Sequence, residues 1–122
     1  MEKNTKFAFK ELKVWQKAML FANKVLDIPA SFPSTRKHYR LGEQLESAST
    51  SIAMNIAEGK GRFSMKEYVH FLYIARGSVY ECITLLNILA NRQWITQELL
   101  FDLEEDGFEI VSMLKGLINS IE

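Results

Sequence analysis

Apolar residues recur along this chain at alternating spacings of three and four, the period of one face of an α-helix. From about Leu12 to Ile28, Trp15, Ala18, Ala22 and Val25 make a first stripe. "IPASFPST" ends it, because each proline disfavours helix at the residue before it. From about Arg36 to Glu58, Leu41, Leu45, Ala48, Ile52, Asn55 and Gly59 form a heptad seam with one polar member, Asn55. Ser64 and Glu67 fit the capping box S-x-x-E that opens a third helix, with Tyr68, Leu72, Ala75, Val79, Cys82, Leu86 and Leu89 on its seam. Thr96 is a candidate N-cap for a fourth helix carrying Leu103, Ile110, Leu114, Leu117 and Ile121. No segment makes a comparable case for a strand. The pattern predicts an all-α fold: one domain over residues 1–122, an antiparallel up-down bundle with helices at about 12–28, 36–58, 64–90 and 97–121.

The third helix carries more apolar surface than one seam uses. Phe71, Ile74, Ser78, Leu85 and Ile88 form a second stripe, widened by Val69, Tyr73 and Tyr80. A helix apolar almost all round is normally buried on all sides, whereas a monomeric four-helix bundle leaves one face of each helix in water. Packing against another copy resolves the conflict, with Phe71, Ile74, Leu85 and Ile88 as interface candidates.

Composition adds limits. At 48% hydrophobic and 25% charged, the 122 residues are ordinary for a folded soluble domain. The single cysteine, Cys82, cannot form an internal disulfide, which fits a reducing cytoplasm. The N-terminal stretch does not read as a signal peptide and no stretch is long and apolar enough to span a membrane. Net charge is zero but uneven: residues 1–66 hold 12 Lys+Arg against 6 Asp+Glu, and residues 93–122 hold Lys115 against seven acids. Such an imbalance suits nucleic acid on the basic half, or a basic part of one subunit facing the acidic part of the next.

No catalytic constellation assembles. Glu67 and His70 make one E-x-x-H pair, but di-iron bundles need two such pairs and two further glutamates, so His70 reads as solvent-facing and no metal or cofactor is expected. Cys82 lies on the core seam, where cysteine behaves as a small hydrophobe. "GKGR" does not match a phosphate loop or a dinucleotide fingerprint.

The junction "SIAMNIAEGKGRFS", residues 51–64, admits two readings. As punctuation, Gly59 is a left-handed residue just past the second helix, Gly61 lets the loop reverse, Asn55 bonds the loop backbone or fixes heptad register, and Glu58 pairs with Arg62. As a site, Lys60, Arg62 and Lys66 surround a helix N-terminus, which favours anions. With Arg36, Lys37 and Arg40 they are the candidate phosphate contacts for nucleic acid.

"LKVWQKAM", "FP", "SIAMNIAEGKGRFSMKEYVHFLYIARGSVYE" and "MLKGLINSI" together resemble one family, the bacterial four-helix-bundle proteins encoded in intervening sequences of 23S rRNA genes. More distantly, the chain is similar to the accessory bundle protein of diversity-generating retroelements. The resemblance implies a ring-shaped homo-pentamer. By position, Asn55, Glu58, Gly59, Gly61 and Arg62 match the central block, Trp15, Gln16 and Lys17 the first-helix motif, and Gly77 and Ser78 a further segment. The chain departs at Glu46 and Ser47, where many members carry two arginines, and at Ala53, where proline is common. The expectation is a non-catalytic homo-oligomer that binds structured RNA or DNA, or a protein that handles it, through a basic surface. The alternative is an interaction scaffold with no nucleic-acid role.

Overall fold

The computed structural model describes residues 6–28 and 39–122. A short 3-10 turn, Ala8–Glu11, leads into α1 (Lys13–Leu26), α2 (Tyr39–Lys60), α3 (Met65–Asn91) and α4 (Gln97–Ile121). The described residues contain no strand. Each helix packs on its neighbours in sequence and α1 also packs on α4, so the four close into an up-down bundle. Arg36, Lys37 and His38 lie outside the described residues.

The stripes point inward as the periodicity requires. Ala18, Ala22 and Val25 of α1, Leu45, Ala48 and Ile52 of α2, the whole Tyr68-to-Leu89 seam of α3, and Leu103, Ile110 and Leu114 of α4 are buried in one cluster. Leu117 and Ile121 pack at its edge. Capping follows the sequence: the Ser64 hydroxyl accepts from the Glu67 N–H at 3.2 Å and that of Thr96 from the Leu99 N–H at 3.0 Å.

The α3–α4 connection uses chemistry that the sequence does not advertise. Gln93 has φ 64°, the only non-glycine at positive φ among the described residues. Its N–H bonds the Ala90 carbonyl and the Trp94 N–H bonds the Leu89 carbonyl, both at 2.9 Å. This is the Schellman closure, with glutamine standing where glycine is usual.

One expectation fails at the end of α2. Gly59 is not a left-handed cap, since no described glycine has positive φ. The helix continues through it to Lys60, and Gly59 is buried against α3. A Cβ at this position would lie 2.8 Å from the Phe71 Cβ and 3.1 Å from the Tyr68 Cδ1. The glycine is there so that two helices can touch.

Candidate functional site

The α2–α3 junction gathers the motif residues. Glu58 and Arg62, one turn apart, form the expected pair at 2.7 Å. The Arg62 guanidinium lies 4.6 Å from the centre of the Phe71 ring, and the Lys60 ammonium lies 5.7 Å from the centre of the Tyr68 ring. Both cations therefore lean on aromatic faces of α3. Gly61 makes the turn, its N–H shared between the carbonyls of Ala57 and Glu58 at 3.2 Å. Tyr68 itself is buried, with a hydroxyl that meets no hydrogen-bond partner, and burial raises its pKa.

For Asn55 one of the two expected roles fails. Its side-chain amide does not reach the loop. It donates to the Ser51 carbonyl at 2.8 Å and to the Ser51 hydroxyl at 2.9 Å. That hydroxyl meets the Ser78 hydroxyl across the helix interface at 2.9 Å. Asn55, Ser51 and Ser78 are thus a polar ladder joining α2 to α3, and Ser78 is nearly buried. A satisfied ladder of this kind fixes how two helices register.

The first-helix motif is structural as well. Trp15 meets Phe9 edge-on with ring centres 5.2 Å apart. The Gln16 amide donates to the Lys10 carbonyl at 2.8 Å, tying the 3-10 turn to α1. Lys17 bridges to Asp106 at 3.0 Å and to Glu109 at 2.8 Å, and Lys24 reaches Asp106 at 2.8 Å and Asp102 at 3.5 Å. Glu109 first, then Asp106, raises the Lys17 pKa, and Asp106 raises that of Lys24. Burial pushes the Asp106 carboxyl upward, but the bonds from Lys24 and Lys17 outweigh it and leave it below its ordinary 3.8. Part of the charge imbalance is therefore settled inside one chain, between α1 and α4, rather than between subunits.

The remaining candidates scatter. Arg40, Lys60, Arg62 and Lys66 are exposed, but Arg40 begins α2 at the end of the bundle opposite the other three. Of the interface candidates, Ile74 and Ile88 are exposed at 39% and 40%, Phe71 is half-buried under Arg62, and Leu85 is already buried in its own chain. Leu85 stands two helical turns beyond Ser78, which bonds Ser51 of α2, so it lies toward that helix and leaves the interface set. Tyr73 and Tyr80, at 51% and 53%, join the exposed face instead. The sequence stripe missed Phe101 and Phe108 of α4, exposed at 66% and 74%, because they lie outside that helix's core seam.

Among the described residues no cluster of three or more His, Cys, Asp and Glu is placed to hold a metal ion, and His70 sits exposed beside Phe71. Burial, with the Glu81 charge adding, pushes the Cys82 thiol up to about 12, far from a thiolate nucleophile. Among the described residues no helix is long and apolar enough to cross a membrane.

Comparison with known proteins agrees with this geometry. The profile of the 23S rRNA-intervening sequence protein family matches residues 10–116. The chain belongs to that family. A solved structure of a protein of unknown function from the S23 ribosomal protein family of Bacteroides thetaiotaomicron is similar, with a TM-score of 0.80 and 26% identity over 86% of this chain and 97% of that one. No curated protein matches the chain. In this member of the intervening-sequence family, Asn55, Glu58, Gly59, Gly61 and Arg62 all serve the α2–α3 contact or its turn.

Proposed function

We propose that the protein is a non-catalytic homo-oligomeric scaffold whose copies pack through the outer face of α3, forming a closed ring for which a pentamer is the expected size. The observation that carries this is the apolar face itself. Tyr73, Ile74, Tyr80 and Ile88 stand exposed on a helix whose inward seam is already fully packed. At ~25 cal/mol per Å² of apolar surface, leaving such a face wet forgoes several kcal/mol per subunit. Sedimentation equilibrium at micromolar concentration tests it. The expected species is a multiple of the 14.1 kDa chain, and a 14.1 kDa monomer overturns the reading. Ile74→Glu should give monomers or insoluble protein, because assembly would bury an unpaired charge.

A second reading, phosphate-directed binding of nucleic acid, is favoured by one feature: Lys60, Arg62 and Lys66 are exposed within seven residues of each other. Arg62 is the weakest of these contacts, since Glu58 already neutralises it. Fluorescence anisotropy with structured RNA and duplex DNA separates the two readings. Binding that falls steeply between about 50 and 200 mM salt and disappears in Lys60→Glu/Lys66→Glu supports this second one, and no binding at low salt removes it.

A further inference from the structure

The outer face of α3 is apolar but not evenly bulky, because it has a gap near its centre. Gly77 stands close to the middle of this 27-residue helix and is exposed, and a Cβ added there would meet nothing within 4 Å. At 3.6 residues per turn, Tyr73 and Tyr80 fall on one side of Gly77 and Ile74 and Ile88 on the other. All four are exposed, so large side chains wall the gap on both sides. The Arg76 guanidinium holds one wall in place: it lies 4.8 Å from the centre of the Tyr80 ring and donates to the Tyr80 hydroxyl at 3.2 Å.

A glycine inside a helix is destabilising relative to alanine, so its presence calls for a reason. Two others in this chain have one. A Cβ at Gly59 would lie 2.8 Å from the Phe71 Cβ, and one at Gly107 would lie 3.0 Å from the Ile83 Cδ1. In both places the glycine marks where a second helix comes close. Gly77 shares their apolar surroundings, yet its own chain brings no helix over it. Gly116 is equally open, but its neighbours one turn away on the helix surface include Ser112, Asn119 and Ser120, a polar setting.

We infer that in the assembly a helix of a second copy crosses α3 over Gly77, seated between Tyr73 and Tyr80 on one side and Ile74 and Ile88 on the other. The available area supports a partner of this size. Tyr80 and Phe108 flank the same groove between α3 and α4, and Phe101 lies two turns along α4 from Phe108. With Tyr73 these side chains are half to three-quarters exposed and leave roughly 500 Å² of aromatic surface uncovered. That is more than half of the roughly 800 Å² that each partner brings to a standard protein–protein interface. Between Tyr73 and Ile88 the only Lys, Arg, Asp or Glu residues are Arg76 and Glu81, and the core of a protein interface is depleted of charge and enriched in aromatic residues. The occupant is a second copy of this chain: its formal net charge is zero, so copies approach without long-range repulsion, and a copy is present wherever the patch is. This rests on the oligomeric reading above and adds to it the point of closest approach.

Sedimentation velocity over a dilution series, with circular dichroism as the check on folding, tests the inference. Gly77→Ala should remain folded and dissociate at a concentration about tenfold above that of the parent. Gly77→Leu should sediment as a folded monomer where the parent is assembled. Gly116→Ala and Gly116→Leu make the same changes in the polar setting and should assemble like the parent. At a dilution where both are monomeric, Gly77→Ala should unfold at a higher urea concentration than the parent, because alanine favours helix and the new methyl meets nothing in its own chain. Opposite signs in the two assays separate a contact with another copy from damage to the protomer. Gly77→Leu that assembles like the parent, or Gly77→Ala that loses its helical signal, overturns the closest approach and leaves the oligomer standing. A parent that is itself monomeric overturns both.

Discussion

Gly59→Ala is the most informative single substitution, because two effects of known sign oppose each other there. Within a helix, replacing glycine by alanine normally stabilises, by up to about 1 kcal/mol at interior positions and less near an end such as this one. Here the added carbon would lie 2.8 Å from the Phe71 Cβ, 3.1 Å from the Tyr68 Cδ1 and 3.2 Å from the Tyr68 carbonyl oxygen. Non-bonded carbons prefer about 3.5–4.0 Å, so the closest approach is too short by most of an ångström. A Cβ and a backbone carbonyl cannot swing aside as the end of a flexible side chain could, so α2 and α3 must separate. Overpacking of this kind costs about 1–3 kcal/mol, and with fixed atoms on the far side the upper end applies. The net expectation is a loss of about 2 kcal/mol, larger for Gly59→Val. Gly116→Ala is the control: it is exposed on α4 with nothing within 4 Å of the new carbon, and should stabilise by about 0.5–1 kcal/mol. Urea unfolding at one fixed protomer concentration measures both, since assembly would otherwise shift the midpoints. If Gly59→Ala matches or exceeds the parent while Gly116→Ala gains stability, close helix approach is not the reason for this glycine.

Tyr68→Phe should be neutral or stabilising by up to about 2 kcal/mol in the same assay, because it deletes a buried hydroxyl with no partner; a clear loss would reveal a bond to that oxygen. Gln93→Gly should stabilise by about 1 kcal/mol by relieving a left-handed glutamine, and an unchanged midpoint would mean the turn carries no strain. For Asp106 the folded carboxyl titrates below its ordinary 3.8, so its contribution is complete above that pH and is lost on further acidification. The Lys17 and Lys24 contributions are complete below 10.5 and are lost above it. The advantage of the parent over Asp106→Asn in urea melts should therefore be flat near neutrality and shrink at both extremes; a difference constant with pH would place the effect in packing instead.

The bundle was legible because helix period, caps and breakers agree in this sequence. Leu45, Ala48 and Ile52 are buried as their spacing requires, and Ser64 and Thr96 cap as their positions require. The misreadings share one cause: spacing along a helix says nothing about what lies opposite. Gly59 sits where a cap glycine would sit, and only the facing Phe71 shows that it is a contact glycine. Asn55 bonds Ser51 one turn back on its own helix, but the Ser78 hydroxyl that carries the ladder on to α3 is 27 residues from Ser51 in sequence. Leu85 shares a stripe with Ile74 and Ile88, yet it is buried in its own chain. Gln93 gave no signal at all, since a Schellman turn is normally betrayed by glycine.

The residues that identify the family are the ones least able to explain a function. Asn55 and Ser78 lock α2 against α3, Gly59 lets those helices touch, Glu58 and Arg62 hold the turn between them, and Trp15, Gln16 and Lys17 fasten α1 to its neighbours. Membership in the intervening-sequence family is thus recognition of a way of packing four helices. Whatever the protein does must be done with what that packing leaves on the outside. The exposed remainder includes large apolar side chains on α3 and α4, Tyr73, Ile74, Tyr80, Ile88, Phe101 and Phe108 among them. A surface of that kind is costly for a solitary molecule and useful to one that meets its own copies. This is why assembly, rather than a pocket or a reactive group, is where an experiment on this protein should begin.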